Sequence, residues 1–324
     1  MIRDVVLAGQ TAGDWPEIRR EIMARVAGTM GGPDTEKEPA RHEEVRRYEA
    51  HGLRHILVRY HVIEDQWNQA VIVLPERTPA PAVLTIHGCN GQTGKAGVLD
   101  PTNADQRAYG VELARRGFVT FSPDQFGFGH WLAGKDQQKV FDGFYKLWPN
   151  WSLDGIRTFQ QRRAIDLLEK LDFVDGSGGF GAMGNSLGGR ATLHLAAFEE
   201  RIAAAVPSCG LSPVCSNVYR YIERDGALCP PLAEQLRKDG KAVWEYQDVL
   251  ALCAPRAVLL IEPFNDPYNP DIEPVLACFC SARKAYELLG RPEALSILVH
   301  GDGHDTVGQV RQHAYAWLER FLKS

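Results

Sequence analysis

The stretch Gly179-Phe-Gly-Ala-Met-Gly-Asn-Ser186-Leu-Gly-Gly-Arg190 decides how the rest of the chain is read. A short apolar segment, Gly179 to Gly184, leads into Ser186, and a helical pattern follows from Leu187 to about Glu199. At that junction Gly184-Asn-Ser-Leu-Gly188 has the form G-x-S-x-G, the pattern of a nucleophile elbow, in the strand–turn–helix setting such an elbow requires. The glycines answer a steric need. A strained turn lifts the serine hydroxyl above the sheet, and side chains at the flanking positions would clash there. The helix that follows points its N-terminal amides at the place where negative charge develops during acyl transfer.

Working outward, the chain alternates strand and helix from Pro81 onward. Ala82 to Ile86 is a continuous apolar run ending in His87-Gly88, Asn103 to Arg116 is predicted helical, and Phe118 to Ser122 is the next strand. Leu153 to Leu171 carries a helical pattern, and Ile202 to Pro207, Ala257 to Ile261 and Leu295 to Val299 are three more apolar strands. Helices are predicted over about 275–289 and 306–322. Strands without polar alternation, each followed by a helix, imply an α/β chain. Its mostly parallel sheet has about eight strands with helices on both faces.

Residues 1–80 read as an N-terminal extension of the same domain. Asp14 is a candidate cap for a helix with Pro16 in its first turn. Ile18, Ile22, Val26 and Met30 line one face of that helix, which stops at Gly31-Gly32-Pro33. The charged stretch Glu36 to Arg47 is expected to be a solvated helix or loop. Leu53 to Ile63 and Gln66 to Leu74 read as two strands joined across Glu64 and Asp65. Residues 81–324 are the core, interrupted by long excursions at 125–151 and 209–250. Ligands of such sheets bind outside the carboxyl ends of the strands. The aromatics of the first excursion are therefore either pocket walls or an additional core, with Phe126, Trp131 and Trp148 as candidate pocket residues.

Composition sets the frame. The chain has 324 residues, a formal charge of −5, 44% hydrophobic and 24% charged residues, which is globular rather than disordered or fibrous. Mild acidity argues against a nucleic-acid partner, and no apolar run reaches the ~20 residues of a membrane span. The opening MIRDVVLAGQTAGDW is too acidic and too briefly apolar for a signal peptide, so a cytoplasmic location is expected. Seven cysteines, an odd number, do not suggest a disulfide framework.

A serine hydroxyl needs a base. His194 lies eight residues beyond Ser186 on the same helix, roughly 12 Å along its axis, and is too far. His304, in the loop His300-Gly-Asp-Gly-His304-Asp after the last strand, is the candidate base, and His300 is read as a structural strand-end residue. Asp266, after the strand ending at Ile261, is the candidate acid that orients the imidazole, with Asp271 and Glu262 as rivals. The order Ser, Asp, His along the chain is the one expected of hydrolases with this elbow. The oxyanion donors are expected to be the backbone amides of Leu187 and Cys89, the latter in His87-Gly-Cys-Asn-Gly91. His87 either orders that turn or joins Asn90 in contacting substrate. Cys278-Phe-Cys280 on a predicted helix is a poor metal pair, and no P-loop, dinucleotide fingerprint or EF-hand is present. No metal or cofactor is implied.

These segments resemble the dienelactone-hydrolase and acetyl-xylan-esterase-like branch of the α/β-hydrolase superfamily. The resemblance rests on Pro81 to Gly88, Leu113 to Val119 with Ser122-Pro-Asp124, Met183 to Gly189, Leu250 to Arg256 and Gly303-His304. It covers about residue 80 to the C-terminus, and departs at His87-Gly-Cys-Asn-Gly91, where members often carry other residues after the His-Gly. It implies a serine esterase with a Ser–Asp–His triad acting on small acyl esters such as acetyl, aryl or sugar esters and lactones. The same site could serve an acyltransferase or thioesterase, and a non-catalytic ligand-binding protein is a remote alternative. The partner expected is a small-molecule ester, with neither nucleic acid nor membrane, and the chain is compatible with a homo-oligomer.

Overall fold

A computed structural model describes residues 2–32, 39–102, 107–224 and 228–323. Pro33, positions 36–38 of the charged stretch and positions 103–106 of the predicted helix lie outside these. The described strands are β1 His42–Ala50, β2 Leu53–Ile63, β3 Gln66–Leu74, β4 Ala82–Ile86, β5 Val119–Pro123, β6 Phe180–Asn185, β7 Ile202–Ser208, β8 Ala257–Pro263 and β9 Leu295–His300. The α-helices are α1 Trp15–Met30, α2 Tyr109–Arg115, α3 Gln137–Leu147, α4 Leu153–Leu168, α5 Leu187–Phe198, α6 Pro230–Asp239, α7 Tyr246–Leu252, α8 Ile272–Leu288 and α9 Gly308–Leu322.

One nine-stranded sheet runs in the order β1-β2-β3-β5-β4-β6-β7-β8-β9. The first three strands form an antiparallel meander joined antiparallel to β5. From β5 to β9 every pairing is parallel. The side-chain period of two assigns each strand to two cores. Leu84, Ala205, Val258 and Leu260 face the larger core, which holds α1, α4, α5, α7 and α8. Val83, Ala204, Val206 and Leu259 face the smaller one, beneath α2 and α9. Burial on both faces is why these strands read as uninterrupted apolar runs.

Two local readings are corrected. Positions 42–50 form edge strand β1, paired with β2 from His42–Tyr60 to Ala50–Leu53, instead of a solvated helix or loop. Most of its side chains are exposed, so the sequence HEEVRRYEA lacks any apolar period, and its charges suit an open sheet edge. The ninth strand arises here. At α1 the apolar face holds, with Ile22, Val26 and Met30 buried. Asp14, however, does not cap it: its carboxylate accepts from the Thr11 backbone N–H and hydroxyl.

The excursion at 125–151 carries α3 and folds into an aromatic cluster. Phe126 packs 4.9 Å from Trp131 and 5.0 Å from Phe144 between ring centres, and Phe144 meets Trp148 at 5.5 Å. The excursion at 209–250 carries α6 and the start of α7. Trp244 is fully buried there and donates to Thr29 Oγ1 at 2.7 Å, tying the excursion to α1.

Candidate active site

Parallel strands bring their carboxyl ends to one edge of the sheet, and the candidate residues gather along it. The turn after β4 carries Cys89, β6 delivers Ser186, β7 is followed by Cys209, β8 by Asp266 and β9 by His304. Ser186 sits at φ 60°, ψ −123°, outside the ordinary range for a side-chain-bearing residue. The strain is held by close packing. A Cβ on Gly188 would stand 2.2 Å from the Ile86 carbonyl oxygen, and one on Gly184 would stand 2.6 Å from the same atom. The elbow therefore rests directly on the end of β4, and Leu187 opens α5, where the first amides lack intrahelical acceptors.

His304 Nδ1 lies 2.7 Å from Asp266 Oδ2. The other carboxylate oxygen accepts from the Tyr268 N–H at 2.7 Å and the Asn269 N–H at 3.2 Å. Burial alone would raise the Asp266 carboxyl, but the His304 bond and these amides hold it below its ordinary value. Neither rival is bonded to His304. Glu262 is buried and accepts from the Gly210 and Leu211 amides at 3.2 and 3.0 Å. Burial raises its carboxyl well above the ordinary value, against the lowering effect of those two amides. Asp271 precedes α8 without a side-chain cap bond.

Ser186, Leu187, Cys89 and His304 line one cavity of about 530 Å³, together with residues the sequence did not single out. Among these, Arg107 donates to Asp305 Oδ1 at 2.8 Å and to the His304 carbonyl at 3.2 Å, bracing the histidine loop. Arg190 pairs with buried Asp154, and Arg220 reaches the Tyr268 carbonyl at 3.0 Å. The Tyr268 ring stands 4.7 Å from the His304 ring, edge to face. Weak signals for these existed: Arg190 follows Ser186 by one helical turn, and Tyr268 follows Asp266 by two residues.

His87, Asn90, Phe126, Trp131 and Trp148 are not among the residues lining this cavity. The three aromatics belong to the excursion cluster, and His87 is fully buried beneath the turn. Its Nε2 accepts from the Gln125 N–H at 2.9 Å, so Nδ1 donates to the Gly88 carbonyl at 2.7 Å. Burial lowers its pKa to about 4, and the ring is neutral. His87 orders the turn. His194 and His300 are also outside the cavity lining, the first buried against Trp244 and Tyr246.

Among the described residues, Cys209, Asp266 and His304 could converge on a metal ion, with their ligand atoms within 4.8 Å. Burial pushes the Cys209 thiol far up, however, and Asp266 and His304 already bond each other. The chemistry of the trio fits an imidazole–carboxylate pair better than a metal centre.

A mostly parallel, helix-covered sheet with a strained serine at a strand-to-helix elbow defines the α/β-hydrolase fold, which this chain has. No protein-family model matches the chain. A protein of Bacillus subtilis (strain 168) named "Putative hydrolase YtaP" is 25% identical over 263 residues, covering 78% of this chain and 83% of that protein. Among solved structures, a glucuronoyl esterase from Solibacter usitatus aligns with a TM-score of 0.75 at 16% identity, covering 98% of this chain and 97% of its own. A carbohydrate esterase family 15 glucuronoyl esterase from Caldicellulosiruptor kristjansonii aligns at 0.70 with 19% identity, covering 97% and 87%. A Bacteroides fragilis protein called a "putative acetyl xylan esterase" aligns at 0.67 with 15% identity, covering 91% and 77%. No helix among the described residues is long and apolar enough to cross a membrane.

Proposed function

We propose that the protein is a serine carboxylic-ester hydrolase working through an acyl-enzyme on Ser186. The observation that carries this is the 2.7 Å contact between Asp266 Oδ2 and Nδ1 of His304, a residue that lines the same cavity as Ser186. The contact fixes the Nδ1–H tautomer and leaves Nε2 as the lone pair that can accept the serine proton.

Ser186 Oγ bonds to the ester carbonyl carbon while its proton passes to His304 Nε2, and the carbonyl oxygen becomes an oxyanion. The Cys89 and Leu187 backbone amides are offered as its donors. The carbon–oxygen bond to the alcohol then breaks, and the alcohol departs with the proton from Nε2. Water enters, gives its proton to the same nitrogen and attacks the acyl carbon. The tetrahedral species collapses, and Ser186 Oγ recovers the proton. Asp266 stays ionised throughout and stabilises the imidazolium.

A cavity of about 530 Å³ suits a small acyl group with a sugar-sized or aryl alcohol. The neighbours named glucuronoyl esterase and acetyl xylan esterase support sugar esters as the first substrates to try. Purified protein is tested against acetyl, butyryl and longer aryl esters, acetylated sugars and lactones. Turnover that disappears in Ser186→Ala and His304→Ala, with the circular dichroism spectrum unchanged, is expected. Unchanged turnover in either variant would sink the reading.

A further inference from the structure

Between the turn after β4 and the elbow lies a second cavity of only about 30 Å³, lined in part by Gly88, Cys89, Asn90, Tyr109 and Asn185. Two amides on its wall are oriented from behind. Asn90 Nδ2 donates to the Gly94 carbonyl at 2.9 Å, which leaves Oδ1 as the remaining polar atom, buried and with no partner among the described residues. Asn185 Oδ1 accepts from Thr306 Oγ1 at 2.9 Å and from Ser208 Oγ at 3.3 Å. That leaves Asn185 Nδ2, likewise buried and unmatched among the described residues, on a residue only 1% exposed. One cavity is thus lined by a residue with an unmatched acceptor and a residue with an unmatched donor. Burying either without a partner is costly, whereas a water held by two to four polar groups needs only about 10–15 Å³.

We propose that one bound water molecule occupies this cavity, accepting from Asn185 Nδ2 and donating to Asn90 Oδ1. The space is too small for an organic ligand. Asn90 directly follows Cys89, and Asn185 directly precedes Ser186. The water therefore ties the two halves of the oxyanion site together and sets the spacing between the Cys89 and Leu187 amides. Asn90 and Asn185 are positioning residues. This functional part rests on the esterase reading above, while the water itself does not.

A high-resolution crystal structure of the wild-type protein decides the water. A density peak within hydrogen-bond distance of both amides is expected. A dry cavity, or amides rotated onto each other, would overturn the proposal whatever the activity. The functional arm compares Asn90→Ala, Asn185→Ala and the double variant on a short aryl ester. Each single change is expected to lower kcat about tenfold with KM unchanged, less than the ~100-fold for loss of an oxyanion donor. The double variant is expected to fall no further, because both residues act through one water. An additive, roughly hundredfold fall, or a change in KM alone, would overturn the positioning role. If Ser186→Ala retains full turnover, the esterase reading fails instead, and the density still answers for the water.

Discussion

Replacing Asp266 by asparagine tests the catalytic geometry without removing atoms. The carboxylate is used asymmetrically: Oδ1 accepts two backbone N–H groups, at 2.7 and 3.2 Å, and Oδ2 faces His304 Nδ1 at 2.7 Å. In Asp266→Asn the amide oxygen is the group able to satisfy the two backbone donors, so the NH2 turns toward Nδ1. Nδ1 must then accept, the ring proton moves to Nε2, and the nitrogen facing the nucleophile can no longer act as a base. A wrong-tautomer substitution of this kind in a serine protease triad lowers kcat by about 10⁴, about 5 kcal/mol at roughly 1.4 kcal/mol per tenfold. Both backbone bonds survive, so the folded state is expected to persist at room temperature. The assay is kcat on a short aryl ester, with thermal denaturation run alongside. A variant that folds and keeps kcat within about tenfold of wild type would refute the assignment of Asp266 and the tautomer argument with it.

Other expectations follow from neighbouring groups. In Glu262→Gln the two backbone donors keep an acceptor, but the ionisable carboxyl is gone. The folded-state value of Glu262 lies well above its ordinary 4.5, so unfolding above that pH releases a proton, and the wild type loses stability as pH rises. The glutamine variant should lose less, by at most about 1.4 kcal/mol per pH unit, in thermal melts taken from about pH 4.5 upward. A parallel pH dependence in both proteins would contradict this. Gly188→Ala places a methyl 2.2 Å from the Ile86 carbonyl oxygen and 2.8 Å from that of His87. It should cost about 1–3 kcal/mol of stability and displace the turn that carries Cys89, seen as a fall in kcat larger than any change in KM. Wild-type kcat would count against the close packing.

The elbow and the parallel core were legible because strands buried on both faces leave an unmistakable apolar run, and because chemistry dictates what must follow each run. Ser186 was singled out by the G-x-S-x-G elbow and Asp266 and His304 by the loops after strands, and the structure brings Asp266 and His304 into contact. The edge strand β1 was not legible, since its outward charges carry no period. The aromatics of 125–151 left two readings open for a related reason. Composition cannot tell a ring that walls a pocket from one that fills a core, and Phe126, Trp131, Phe144 and Trp148 pack chiefly on one another. Arg107 and Arg220 reach the cavity from segments far apart in sequence, so only the folded chain places them together.

The central claim is that Ser186 is a nucleophile activated by His304. A serine-directed fluorophosphonate probe, followed by peptide mass spectrometry, tests it without knowledge of the substrate. One adduct on the peptide containing Ser186 is expected, absent in Ser186→Ala and formed far more slowly in His304→Ala. No adduct on folded protein, or an adduct that persists in Ser186→Ala, would contradict the account.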